Sequence, residues 1–172
     1  AMWDGDYSFY RLRDWLDPAN TSMTLNGYDP SGTVPSIKVR LKAFLEGPFN
    51  VANVNMDAGL RSAGLVPLTE PYTGLGYPHS GGGGEITTQP VLNVSSTSAV
   101  VDWVVIELRN KLNSAQVLAT RSALILRNGN VVAMDGVSDP VFSMPADNYF
   151  IALRHRNHLG VMTNAALPLS TN

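Results

Sequence analysis

His155 and His158 stand three apart, His79 lies beside a glycine-rich stretch and Glu85 follows it, the residue types that a metal ion or a proton-transfer site would use. At a strand end, however, His-x-x-His sends its rings to opposite faces unless the chain turns between them, so capping and loop-fixing hydrogen bonds are the favoured roles. Asp4 and Asp6 have the alternate spacing of calcium ligands, and Asn53-Val54-Asn55-Met56-Asp57 begins like an EF-hand loop. That motif then fails, because Ala58 stands where the loop needs Gly and Gly64 where it needs a bidentate Glu. Calcium held by loops stays an open reading, and no other cofactor is expected. Gly81 to Gly84 lack the Lys-Ser/Thr of a phosphate-binding loop, and no serine sits in Gly-x-Ser-x-Gly. No enzyme is expected from these residues.

Asp102 lies in VVDWVVIEL, on the side of the alternating pattern that also carries Val100, Val104 and Ile106. A carboxylate buried there needs a partner, and Arg121 and Arg154, in two other predicted strands, are the candidates. The expectation is a structural pin, since no second carboxylate or nucleophile is placed beside it. The remaining chemistry-bearing residues are aromatic. Trp3, Tyr7, Trp15, Tyr28, Tyr72 and Tyr77 fall in loop-like segments among Asp, Asn and Arg, where a flat ring suits the apolar face of a sugar. Trp3, Trp15, Tyr72 and Tyr77 are the candidate carbohydrate-binding residues, against the alternative that such rings plug the ends of a sandwich.

Positioning these residues falls to strands. Between 100 and 163, short runs rich in β-branched and aromatic residues are bounded by Gly, Pro, Asn or Asp, as in an antiparallel sandwich. VVDWVVIEL is apolar on both faces and reads as a central strand. Asn128-Gly129 predicts a type I′ hairpin turn joining two paired strands, and Asp135-Gly136 and 145–148 predict further turns. Ile37, Val39, Leu41 and Ala43 alternate with Lys38, Arg40 and Lys42, a strand with one wet face. Residues 53–63 could form a short helix, and the Gly- and Pro-rich connection through Glu85 reads as a loop crossing between sheets.

The fold class predicted is all-β, an antiparallel sandwich of immunoglobulin-like or jelly-roll character. One domain is expected from 172 residues, with an aromatic segment 1–33 packed on a core 34–172. Charged residues are only 15% of the chain, so the surface must rest on Ser, Thr, Asn and Gly. A net charge of -2 with scattered basic residues carries no nucleic-acid footprint. There is no cysteine, hence no disulfide or thiolate site, and no apolar run long enough for membrane insertion is visible. The opening Ala-Met-Trp reads as part of a longer protein.

VRLKAFLEGPFN, LRSAGLVPLTEPYTGLGYPHSGGGGE, AVVDWVVIELR, VLATRSALILRNGNVVAMDGV and YFIALRHRNHLGVMT together resemble a module of large secreted and surface-attached bacterial proteins, adhesin-like or polysaccharide-degrading. The resemblance covers 39–169 and implies an extracellular or cell-surface, non-catalytic β-sandwich without an assigned site. One departure is Pro145-Ala146-Asp147, where the module has a Pro-Gly turn. The functional expectation is a carbohydrate-binding accessory module whose partners are a polysaccharide and neighbouring domains. The alternatives are a structural or adhesive spacer at a cell surface, or an enzyme with a site at the glycine-rich loop and His155/His158.

Overall fold

The computed structural model describes residues 35–171. The expected segment 1–33, with Trp3, Trp15, Asp4 and Asp6, lies outside the described residues, as does the first residue of the expected core. In chain order the elements are β1 (Ile37–Lys38), β2 (Leu41–Lys42), β3 (Phe49–Asn50), β4 (Asn55–Met56), α1 (Gly59–Ser62), α2 (Gln89–Leu92), β5 (Val100–Asn110), β6 (Asn113–Leu126), β7 (Asn130–Val132), β8 (Val141–Phe142), β9 (Asp147–His155), β10 (His158–Met162) and β11 (Leu167–Leu169). The fold is an all-β sandwich built on one main antiparallel sheet.

That sheet has seven strands, in the order β10-β9-β5-β6-β7-β2, with β11 also paired to β9. Strand β5 is central, as its apolar faces predict: every residue from Val100 to Leu108 is buried. One face presents Val101, Val104, Ile106 and Leu108, which pack with Ile37 and Phe142 from the small β1–β8 sheet and with Val39 just after β1. The other face presents Val100, Trp103 and Val105, covered by Val66, Tyr72 and Leu92 from the long connection before β5. Each fully buried aliphatic side chain of this kind contributes about 1.5–3 kcal/mol. The connection expected as a crossing loop from its Gly and Pro content therefore acts as a lid on this face of β5, β6 and β7.

Four expectations change in detail. The alternation in β5 is broken by an irregularity between Val100 and Asp102, so Val100 faces with Trp103 and Val105, and Val101 joins Val104. An extra residue in one strand inverts the side-chain period from that point. The β6–β7 strands pair as predicted, but the turn is not type I′. Gly129 alone has positive φ (87°), and its N–H donates to the Leu126 carbonyl, a type I turn closed by a left-handed glycine. Asn128 instead spends its side chain accepting from the Asn130 N–H, which stabilises that geometry locally.

The predicted strand around 37–43 keeps its wet and buried faces but splits. β1 pairs with β8, while β2 pairs with β7 at the edge of the main sheet, so the segment passes from one layer to the other. Between 53 and 63 the helix shrinks to the single turn α1.

Candidate functional site

Three buried carboxylates, Glu70, Asp102 and Glu107, organise the polar chemistry of the described residues. Asp102 accepts from the Trp103 backbone N–H (2.8 Å), from Arg156 Nη2 (2.9 and 2.8 Å to its two oxygens) and from His155 Nε2 (3.2 Å). His155 Nδ1 in turn accepts from the Asn157 N–H (3.1 Å) and lies 2.8 Å from His158 Nδ1. This network assigns the proton of His155 to Nε2 and that of His158 to Nδ1. Burial pushes the Asp102 carboxyl up, but the His155 and Trp103 hydrogen bonds and the Arg156 charge outweigh it, and the net shift is below the usual carboxylate range.

The pin expected at Asp102 is present, but its partners are not Arg121 or Arg154. Arg154 registers against Val105 and reaches Glu107, whereas Arg121 registers against Ile106, four residues from Asp102 and about 13 Å along the strand. Arg156 succeeds because it stands beyond the end of β9, in the turn, where the alternation of strand side chains no longer constrains it.

Glu107 lies between two guanidinium groups. Arg109 donates through Nε (2.8 Å) and sits at 2.6 Å through Nη2, Arg154 Nε is 3.3 Å away, and the Tyr77 hydroxyl donates to the same carboxylate. Burial raises the Glu107 carboxyl and the Tyr77, Arg109 and Arg154 contacts lower it further, so the net shift is downward. Tyr77 moves the opposite way, pushed up by burial and by donation to Glu107. Glu70 accepts backbone N–H bonds from Tyr72 (2.6 Å), Thr73 (3.1 Å) and Gly84 (2.8 Å), plus the Thr73 hydroxyl. It thus closes the connection on itself.

The same connection is fastened to the sheet. Tyr72 donates its hydroxyl to the Trp103 carbonyl (2.7 Å), a group left open because the β5–β9 pairing stops at Val105–Arg154. Trp103 Nε1 donates to the Pro67 carbonyl (2.8 Å). Ser80 and Thr120 exchange backbone and side-chain hydrogen bonds at 2.7 and 2.8 Å, with His79 Nδ1 3.4 Å from the Thr120 hydroxyl. Gly82 passes so close to the Thr120 carbonyl that any Cβ would collide with backbone. Gly82→Ala should lower stability by about 1–3 kcal/mol, whereas Gly59→Ala, whose added methyl meets nothing, should not. Thermal denaturation of the two variants checks this.

Of the residues expected to stack on sugar, Tyr72 is corrected: it is 4% exposed with its hydroxyl engaged, so its ring offers no platform. Its site was reserved for packing against Trp103 and Val105. Tyr77 is half-buried, its hydroxyl on Glu107 and its edge 5.0 Å from His79, measured between ring centroids. Trp3 and Trp15 lie outside the described residues. The three histidines do not converge: His79 belongs to Glu70 and Thr120, His155 and His158 to Asp102, and Glu85 accepts from the Gly83 N–H instead. Among the described residues no three His, Cys, Asp or Glu side chains come together as a metal set. Within 53–57 the Asn55 side-chain amide donates to the Asn53 carbonyl, a local turn contact. Among the described residues the glycine-rich loop and His155/His158 share no hydrogen-bond partner.

Glu70, Glu107, Arg109, Thr120 and Arg156 were not singled out by sequence reasoning. Glu107 carried the same signal as Asp102, a carboxylate between apolar residues in a two-faced strand, with Arg109 two positions on. Among the described residues no helix is long and apolar enough to cross a membrane. In comparison with known proteins, the chain matches no family model, no curated protein and no solved structure.

Proposed function

We propose that this chain is a non-catalytic structural module, a spacer that carries and positions neighbouring domains of a secreted, surface-attached bacterial protein. The observation that supports it is the closure of Glu70, Asp102 and Glu107 on internal partners, which leaves them to fasten the lid and the β9–β10 turn instead of facing a substrate. Buried aromatic rings at Trp103 and Tyr72 agree with this role. A carbohydrate-binding role is the second reading, favoured by half-exposed Tyr77 beside the open end of Arg154, and it would draw on Trp3 and Trp15 as well.

Urea denaturation of the whole chain with and without soluble cellulose derivatives, mannan and neutral β-glucan separates the two. A spacer unfolds at the same midpoint in all of them. A ligand that binds the folded state raises the midpoint by mass action, and such a rise with any neutral polysaccharide would overturn the spacer reading.

A further inference from the structure

A cavity of about 230 Å³ opens between the Ser80–Gly81 loop, β6 and the residues after β8, and Arg121 lines it. The guanidinium carbon of Arg121 lies over the ring of Phe142, another lining residue, 5.9 Å from its centroid. Its Nε is buried without a hydrogen-bond partner. The nearest carboxylate is Glu85, 4.0 Å from Nη1, beyond the 2.7–3.2 Å of an N–H···O bond. Among the described residues, then, the guanidinium makes no hydrogen bond, while Arg109 and Arg156 each make two or more. With Nε open in a cavity wall and the Arg121 side chain 36% exposed, an acceptor from outside can reach the guanidinium and complete its hydrogen bonding.

The rest of the lining narrows the chemistry. Ser80 and Ser143 bring hydroxyls, and Phe142 and Met144 bring apolar surface. A planar two-oxygen anion matches the fork of a guanidinium better than a point charge does, and the mixed wall suits a body with both hydroxyl and C–H faces. The volume falls below the roughly 300 Å³ of a drug-sized site, so the body is small. We propose that this cavity binds a carboxylate carried on a frame the size of one sugar ring, with Arg121 as its anchor. This goes beyond the spacer reading and does not depend on it.

Titration calorimetry of the whole chain at neutral pH and low salt, with galacturonate as probe and galactose as control, tests the proposal, since the two differ only in the carboxylate. Galacturonate should bind and galactose should not. Arg121→Gln should weaken galacturonate about ten- to hundredfold, the worth of a charge-assisted hydrogen bond. Ser143→Trp, at an exposed position on the cavity rim, should abolish binding without lowering the melting temperature. Glu85→Gln should tighten binding by removing the competing anion. Polygalacturonate that binds as well places the carboxylate on a polymer, and binding of the monomer alone places it on a free acid; both support the site. Equal binding of galactose, undiminished binding by Arg121→Gln or by Ser143→Trp, or no uptake of galacturonate at millimolar concentration would each overturn it.

Discussion

Asp102→Ala is expected to lose about 3–5 kcal/mol of folding free energy, because it strands Arg156 and His155 without the buried charge that holds them. Small domains hold only about 5–15 kcal/mol in total, so a substantial unfolded fraction should be present at room temperature. The effect reaches past one contact. With Asp102 gone, the His155–His158 pair loses its anchor, and the β9–β10 turn, which that pair ties to the centre of the sheet, should open first. The comparison variant is Asp139→Ala, which breaks the exposed Arg40 ion pair and should cost under about 1 kcal/mol. Urea midpoints of both variants measure this. A normal midpoint for Asp102→Ala would show that the carboxylate is not a structural pin, and retained folding with loss of a binding activity would move it into a functional site.

Acid should unfold the protein through the same three carboxylates. Asp102, Glu107 and Glu70 all have carboxyls lowered in the folded state, each against the upward push of burial, by the hydrogen bonds and charges that surround them. A folded pKa below the unfolded value means that the unfolded chain binds protons first. The stability they supply is complete above the ordinary carboxylate range of about 3.9–4.3 and is lost as pH falls through the lower folded values. The urea midpoint should therefore show little dependence on these groups at neutral pH and fall steeply below about pH 4. Glu107→Gln should flatten that fall while also weakening the protein at neutral pH, since an amide cannot neutralise Arg109 and Arg154. A midpoint that rises on acidification below pH 4 would mean that these carboxyls are already protonated in the folded protein.

The two variants probe what was legible in the residues and what was not. Asp102 was recognisable as buried because its neighbours at alternate positions are valines and isoleucine, and the period of a strand is a local property. The same reasoning extends to Glu107, whose alternate neighbours before it are Trp103 and Val105. Its partner Tyr77 was not legible, because it stands thirty positions earlier in the Gly- and Pro-rich connection and nothing local says where that chain returns. Tyr72 was misplaced for the same reason. Its surroundings in the chain are loop-like, and only the return of the connection across Trp103 buries it.

By itself the sequence determined the alternating runs, the positions where they turn, and therefore an all-β sandwich with β5 at its centre. These follow from side-chain period and backbone preference, which act over a few residues. Only the tertiary structure decided which arginine meets which carboxylate, which aromatic rings are buried, and that Arg121 is left over in a cavity wall. Each of those depends on strand register, on the irregularity after Val100 that inverts the faces, and on the path of the long connection. A shift of one residue in any of them exchanges the partners, and no short stretch of the chain contains that information.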